Sequence, residues 1–339
     1  MSYCKLVCSI QISLQEEITP EENNEVFDLM SQFSDEFEEM YYHRRKDRIH
    51  MVRPAIHAPS HIALDTARIG PGIIYSQWAM ERLIGYLGGL IRQHSNPFAN
   101  LAQRAIRLAM SNVLKAMDPS LKAGSKSPAS PRGAKDIGGG YSMRRATDST
   151  ARPVTSQEMT AIRVYLRENG LPVDDDYVLK VTRWARVGLP NGQIARSRWK
   201  EDAKGLENVR MARNVQLELN SERHLAEVHF YMNLSIHGID HHLAVGSFYG
   251  PPHQGLYNAS SKTYISVQHQ RDVDVRVFPI TAISCVVMMA PDPRYSTYIQ
   301  DGSEVNRYFM MSRPGLKVAE FTGIGLEEEE EENTGGGDV

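Results

Sequence analysis

Apolar positions over the first 117 residues recur at helical spacing. Tyr3 to Leu14 reads as a helix, with Leu6, Cys8, Ile10, Ile12 and Leu14 supplying its bulk. A second helix opens at Thr19-Pro20-Glu21-Glu22: Thr as N-cap, Pro at the first position, Glu at the third for a capping box. Val26, Met30, Phe33, Phe37 and Met40 carry it to about Tyr42 at helical spacing. Pro59 is expected to open the next helix, and Gly70-Pro71-Gly72 breaks the chain. At 100° per residue, Ile73, Met80, Ile84, Leu87 and Ile91 then centre one broad apolar face, in a helix ending near Gln93. Asn96-Pro97 caps a further helix through Leu101, Ile106, Met110, Val113 and Leu114.

The pattern changes at Asp118. Ser125 to Ser130, Pro131-Arg132-Gly133 and Gly138-Gly139-Gly140 form a basic Pro/Gly/Ser stretch without periodicity, expected to be a disordered linker. The glycines are not a phosphate loop, because no Lys-Ser/Thr and no helix start follow. Thr155 to Asn169 reads as a helix with Glu158 completing a capping box. After it the period falls to two. Strands are expected at Gln193 to Trp199, Val215 to Leu219, Ala226 to Ile236, His241 to Tyr249, Tyr264 to His269, Val275 to Phe278, Ile283 to Met289 and Tyr308 to Met311. His237 to Asp240 is a hairpin turn. The fold class expected is α+β: a helical N-terminal unit (1–117), a basic linker (118–154), a β-rich small barrel or sandwich (155–322) and an acidic tail (323–339).

Composition adds three constraints. An apolar fraction of 41% and a charged fraction of 23% are ordinary for a folded chain, and 339 residues suffice for two domains. The formal net charge of −3 hides segregation: residues 16–39 hold ten acidic side chains and no basic one, whereas 118–153 hold seven basic and three acidic. No apolar run reaches the length of a membrane span, and no secretory signal is evident. Three cysteines argue against a disulfide framework and for a reducing, intracellular compartment.

The chemistry-bearing stretch runs from Ile56 to Pro97. His57 and His61 stand four apart. Twenty residues later Glu81 sits on the shoulder of the apolar helix, beside Trp78, Gly85 and Gly88, where partial desolvation is expected. On His57, His61, Ile62, Gly70, Pro71, Tyr75, Trp78, Met80, Glu81, Arg82, Arg92 and Pro97 the block resembles the C-terminal region of fungal CACTA (En/Spm) transposases. The lead-in Ile18 to Tyr42 and the segment Arg313 to Ala319 resemble the same proteins.

That resemblance implies an RNase H-like neighbourhood, a nuclear location and a two-metal DNA-cutting chemistry. Three carboxylates in such enzymes hold two Mg²⁺ or Mn²⁺ ions, oxygen ligands suiting hard cations. Glu81 matches the third carboxylate. His57 and His61 match half of a zinc site whose other half is a C-x-x-C. The resemblance places the first two aspartates upstream of this chain, and the chain has no C-x-x-C. The expectation is therefore a transposase-derived, catalytically incomplete protein. No cofactor is expected in it; Mg²⁺ and Zn²⁺ are implied only for a complete family member. The expected partners are DNA, further copies of the chain or an upstream catalytic segment, and no membrane.

Two more features bear on binding. Arg183, Arg186, Arg196, Arg198, Lys200, Arg210 and Arg213 form a basic, Trp-containing stretch, a candidate contact for nucleic-acid phosphates; strand alternation would put Arg196 and Arg198 on one face. The long hairpin followed by P-I-T-A-I-S-C-V-V resembles bromo-adjacent-homology and Tudor-like barrels, which dock peptides through aromatic cages. Tyr231, Phe248, Tyr249 and Tyr257 are cage candidates, though aromatics in short strands are more often core. His229, His237, His241, His242 and His253 crowd one hairpin and are expected to be solvent-facing.

Overall fold

The structure, a computed structural model, describes residues 1–75, 77–89, 96–118, 133–170, 179–203, 205, 211–236, 239–294 and 307–311. It is mixed helix and sheet, with helices first and an antiparallel sheet later. The chain divides into two compact units: Met1–Tyr75 with Gly133–Pro314, and Ser76–Arg132 with Gly315–Val339. This corrects the expected boundaries at 117 and 155.

In the first unit, α1 (Ser2–Ser13) packs on α2 (Pro20–Phe37). Small side chains (Ser2, Cys4, Cys8, Ser9 and Ser13) make the buried side of α1, while Val26, Met30 and Phe33 make that of α2. The capping box at Thr19 forms as expected, Glu22 N donating to Thr19 Oγ1 and Thr19 N to Glu22. Short α3 (Pro54–His57), α4 (Ile62–Ile69) and α5 (Gly72–Tyr75) follow. Pro59 lies in a 3-10 turn, Ala58–His61, and does not open a helix of its own. The second unit contains α6 (Trp78–Gly89) and α7 (Pro97–Met117).

The stretch expected to be a disordered linker starts the sheet instead. Its residues 119–132 lie outside the described ones, but β1 (Lys135–Gly138) and β2 (Tyr141–Thr147) pair as a hairpin. Gly138, Gly139 and Gly140 all have positive φ (86°, 61° and 83°), which is what the tight turn requires of them. Met143 is fully buried, and Tyr141 Oη donates to the carbonyls of Thr281 and Ile283. One apolar side chain and one long-range anchor thus tie in a segment whose composition reads as unstructured.

After β3 (Arg152–Pro153), α8 (Ser156–Glu168), β4 (Lys180–Val181), β5 (Arg183–Gly188) and β6 (Ile194–Arg196), the chain forms α9 (Arg198–Glu201). The strand expected over 193–199 is therefore cut short. Ser197 is extended (φ −122°, ψ 146°) at the N-cap position and releases the next turn into helix. Next come β7 (Asn214–Leu219), β8 (Glu222–Ile236) and β9 (Ile239–Phe248). The β8–β9 hairpin is the longest pairing, from Ala226↔Phe248 to Ile236↔Ile239; His237 and Gly238 at its turn lie outside the described residues. Then follow α10 (Gln254–Ala259), β10 (Ile265–Gln268), β11 (Val275–Pro279), β12 (Ile283–Val286), β13 (Met288–Pro291) and β14 (Arg307–Met311). The strand expected over 283–289 is two strands in two sheets.

Alternation along β8 builds two cores. Tyr231 packs with Val187, Val215, Leu217, Ala244 and Phe248 on one side. Phe230 and Met232 pack on the other with Leu243, Val245 and α8's Ile162 and Leu166. The N-terminal helices belong to the same unit: Thr263 Oγ1 donates to the Cys4 carbonyl (3.0 Å), and Lys262 Nζ meets Glu25 (3.2 Å). The acidic tail and Arg313 to Ala319 lie outside the described residues.

Candidate functional site

His57 and His61 fall together. Their Nε2 atoms are 2.9 Å apart and the rings meet edge to face, both exposed. Among the described residues, no group of three or more His, Cys, Asp or Glu is placed to hold a metal ion. Glu81 belongs to the second unit and is exposed on α6, so the expected desolvation is corrected. The apolar side of α6 runs through Leu83 and buried Leu87, and Glu81 lies off it. A Cβ built on Gly85 or Gly88 beside it meets nothing within 4 Å.

The basic stretch is largely consumed inside the sheet unit. Arg183 Nε lies 2.8 Å from Asp148, whose side chain is buried. Arg198 and Arg213 converge on Glu227, at 3.5 and 2.7 Å, and Arg213 reaches Asp202 as well (2.7 Å). Arg196 is buried, and Arg186 is half-buried on β5, opposite Arg196 of β6. The shared face expected for Arg196 and Arg198 is not formed, because the chain leaves the strand at Ser197. Lys200 is exposed, its Nζ 4.9 Å from the Trp199 ring centre, with the Arg183 guanidinium at the same distance from that ring. Arg210 lies outside the described residues.

The densest polar cluster is one that the charge pattern does not reveal. Glu227, on β8, is buried between Arg198, Arg213 and His269, the last 3.4 Å away. Two residues on, the register slips: Val228 pairs Gly246 but Phe230 pairs Val245, leaving His229 as the extra residue of a bulge. Such a bulge re-aims a side chain. Gly246 is required opposite it, because a Cβ there would come within 2.7 Å of the Glu227 carbonyl. His229 is thereby turned inward, against the expectation of a solvent-facing imidazole. Its Nε2 is 2.7 Å from Ser247 Oγ and its Nδ1 is 3.2 Å from Glu158 Oε1.

Glu158 closes the chain of contacts as the third residue of α8's capping box, accepting also from Thr155 N (2.9 Å). Burial acts to raise its pKa, but the hydrogen bonds from His229 and Thr155 bring it below the usual carboxylate range. An ionised carboxylate only accepts, so His229 Nδ1 donates to it, while Nε2 and Ser247 Oγ share the second bond. The order Ser-His-Glu is that of a hydrolytic triad. Ser247, however, has 0% of its surface exposed, so no substrate carbonyl reaches its Oγ and the chain of bonds clamps α8 to the sheet.

Nearby, burial raises the pKa of Glu201, against the Ala212 N–H and the charges of Arg213 and Arg196. Burial likewise lowers that of His269, against Glu227. Tyr231 and Phe248 are fully buried core, and Tyr249 Oη donates to Asn214 Oδ1 (2.9 Å). Three of the four cage candidates are therefore occupied in packing or hydrogen bonding; Tyr257 sits half-buried on α10. His253 caps α10, Nδ1 accepting from Leu256 N, and His241 and His242 lie on β9 near its turn. Among the described residues, no helix is long and apolar enough to cross a membrane. No protein-family model, curated protein or solved structure matches the chain.

Proposed function

We propose that the chain is a transposase-derived protein that binds without cutting, and that its sheet unit is a protein-interaction module. The observation behind this is the internal use of charge. Arg183, Arg198 and Arg213, three of the basic candidates for phosphate contact, each hold a carboxylate within the fold. A guanidinium committed to a buried carboxylate cannot also neutralise a phosphate without leaving that carboxylate unpaired, which is costly. Glu81 alone cannot hold the two metals of an in-line phosphoryl displacement. A residual nucleic-acid role stands as the second reading, favoured by exposed Lys200 beside Trp199.

The test is fluorescence anisotropy with duplex DNA between about 50 and 200 mM salt, run beside a nicking assay with Mg²⁺ or Mn²⁺. The interaction-module reading expects no saturable binding at the upper salt and no nicking. Binding that weakens with salt and is lost in Lys200→Ala would favour the second reading. Metal-dependent nicking abolished by Glu81→Gln would overturn both.

A further inference from the structure

In the second unit, α7 is apolar on two sides. Leu101, Ala105 and Leu108 form a half-buried side. Well round the helix from it, by roughly 110–170°, Ile106, Met110 and Val113 are exposed, Val113 at 56%; Phe98, exposed at 84%, projects next to the half-buried side. A helix with two apolar sides belongs inside a bundle, and the described part of this unit supplies α7 with one helical neighbour, α6. Together α6 and α7 leave nine large apolar side chains exposed among the described residues. They do not all share one face, but Ile106, Met110, Val113 and Met117 project within about 60° of one another on α7 and form a continuous apolar strip.

The exposed side also has a definite pattern. Ala102, Ile106, Ala109, Val113 and Ala116 follow spacings of four, three, four and three. This is a seven-residue repeat, the period that lets two helices stay in register along their length. Large and small side chains alternate along it, so an identical stripe can interleave with it. No charged residue lies on the stripe. Arg104, Arg107 and Lys115 fall away from the stripe, on the far side of the helix, so two copies approach without like charges meeting on α7.

We propose that the α6–α7 pair is completed by the same pair of a second copy, four helices forming one bundle. This goes beyond the reading above, which concerns the sheet unit, and the two fail independently. The experiment is sedimentation velocity on the full chain from about 1 to about 50 µM, since dimer content follows protomer concentration. The expected result is a dimer. Ile106→Asp with Val113→Asp should weaken it by at least about 100-fold. Both side chains are exposed in the single chain, so far-UV circular dichroism should hold. Ala109→Trp separates a packed bundle from general stickiness: it adds apolar surface but blocks the small position, and should also give monomer. A wild-type monomer at the highest concentration would overturn the proposal, as would a dimer or aggregate that persists in Ala109→Trp.

Discussion

Glu227 in the sheet unit and Val113 on α7 each sit where their side chains are least at ease. The carboxylate is buried and the valine is exposed. The two cases resolve differently. Glu227 is answered within the chain by Arg198, Arg213 and His269. Val113 and its apolar neighbours have no such answer among the described residues, and the hydrocarbon they show is what an interface is made from. A buried ion cluster therefore need not mark a ligand, because its charges terminate on one another. An exposed apolar stripe on a helix with one helical neighbour among the described residues points outward, to something that covers it.

The largest test of this contrast is Glu227→Ala. It leaves Arg198 and Arg213 facing each other without their shared carboxylate, and breaking a buried pair costs about 3–5 kcal/mol. Chemical denaturation should show that loss in the sheet unit. A change under about 1 kcal/mol would mean that water already solvates the cluster, and the surface reading of these arginines would return. Replacing exposed Glu81 by Gln should leave stability within about 0.5 kcal/mol, as surface substitutions do.

A smaller effect is expected from pH. Burial holds His269 below the ordinary histidine range, so it takes a proton more readily when unfolded. Below about pH 6.5 the unfolded state then binds more protons, and stability present above that pH is lost as pH falls. Glu158, also held low, extends the loss to lower pH as it protonates. Glu201 works in the other direction: its raised pKa gives a contribution that fades as pH rises past the carboxylate range. Melting temperatures between about pH 7.5 and 5.5 should fall, and His269→Gln should flatten that fall. An unchanged slope in His269→Gln would remove His269 from the cluster's energetics.

Part of this architecture is legible in the amino-acid sequence. Thr19 with Glu22 and Thr155 with Glu158 announce their helices, because a cap is a local contact written three residues apart. The β8–β9 pairing follows from period two on both sides of a turn. The β1–β2 hairpin is hidden, since three glycines spell both a flexible linker and a tight turn, and what separates the two is buried Met143 and the long-range anchor of Tyr141. The polar cluster is hidden for a different reason. Arg183 meets Asp148 across 35 positions and His229 meets Glu158 across 71. A count of basic residues cannot see partners that far away, and so a self-neutralised cluster reads as a basic surface. Alternation misplaces His229 because a bulge shifts it by one residue, which no periodicity reports.

The capping boxes allow the finest comparison, since the same four-residue device occurs twice in different company. At α2, Thr19 and Glu22 bond each other, and Glu22 also meets Gln15 at 3.4 Å, near the surface. At α8, Glu158 also receives His229 from the sheet. The Thr hydroxyl does the same work at both ends, so Thr19→Ala and Thr155→Ala should each cost about 1 kcal/mol. The Glu positions should separate. Glu22→Ala loses its bonds from Thr19 N and, at 3.4 Å, from Gln15, and should cost no more than its Thr. Glu158→Ala leaves His229 Nδ1 buried without an acceptor, which adds about 1–3 kcal/mol. A double-mutant cycle with His229→Leu isolates that addition, because the Ser247 hydroxyl that loses Nε2 is equally unpaired in the His229→Leu single variant and in the double variant, and so cancels. A coupling of about 1 kcal/mol or more would establish that α8's cap is fastened to the sheet through His229. Additive losses would mean that the 3.2 Å contact contributes nothing beyond the cap.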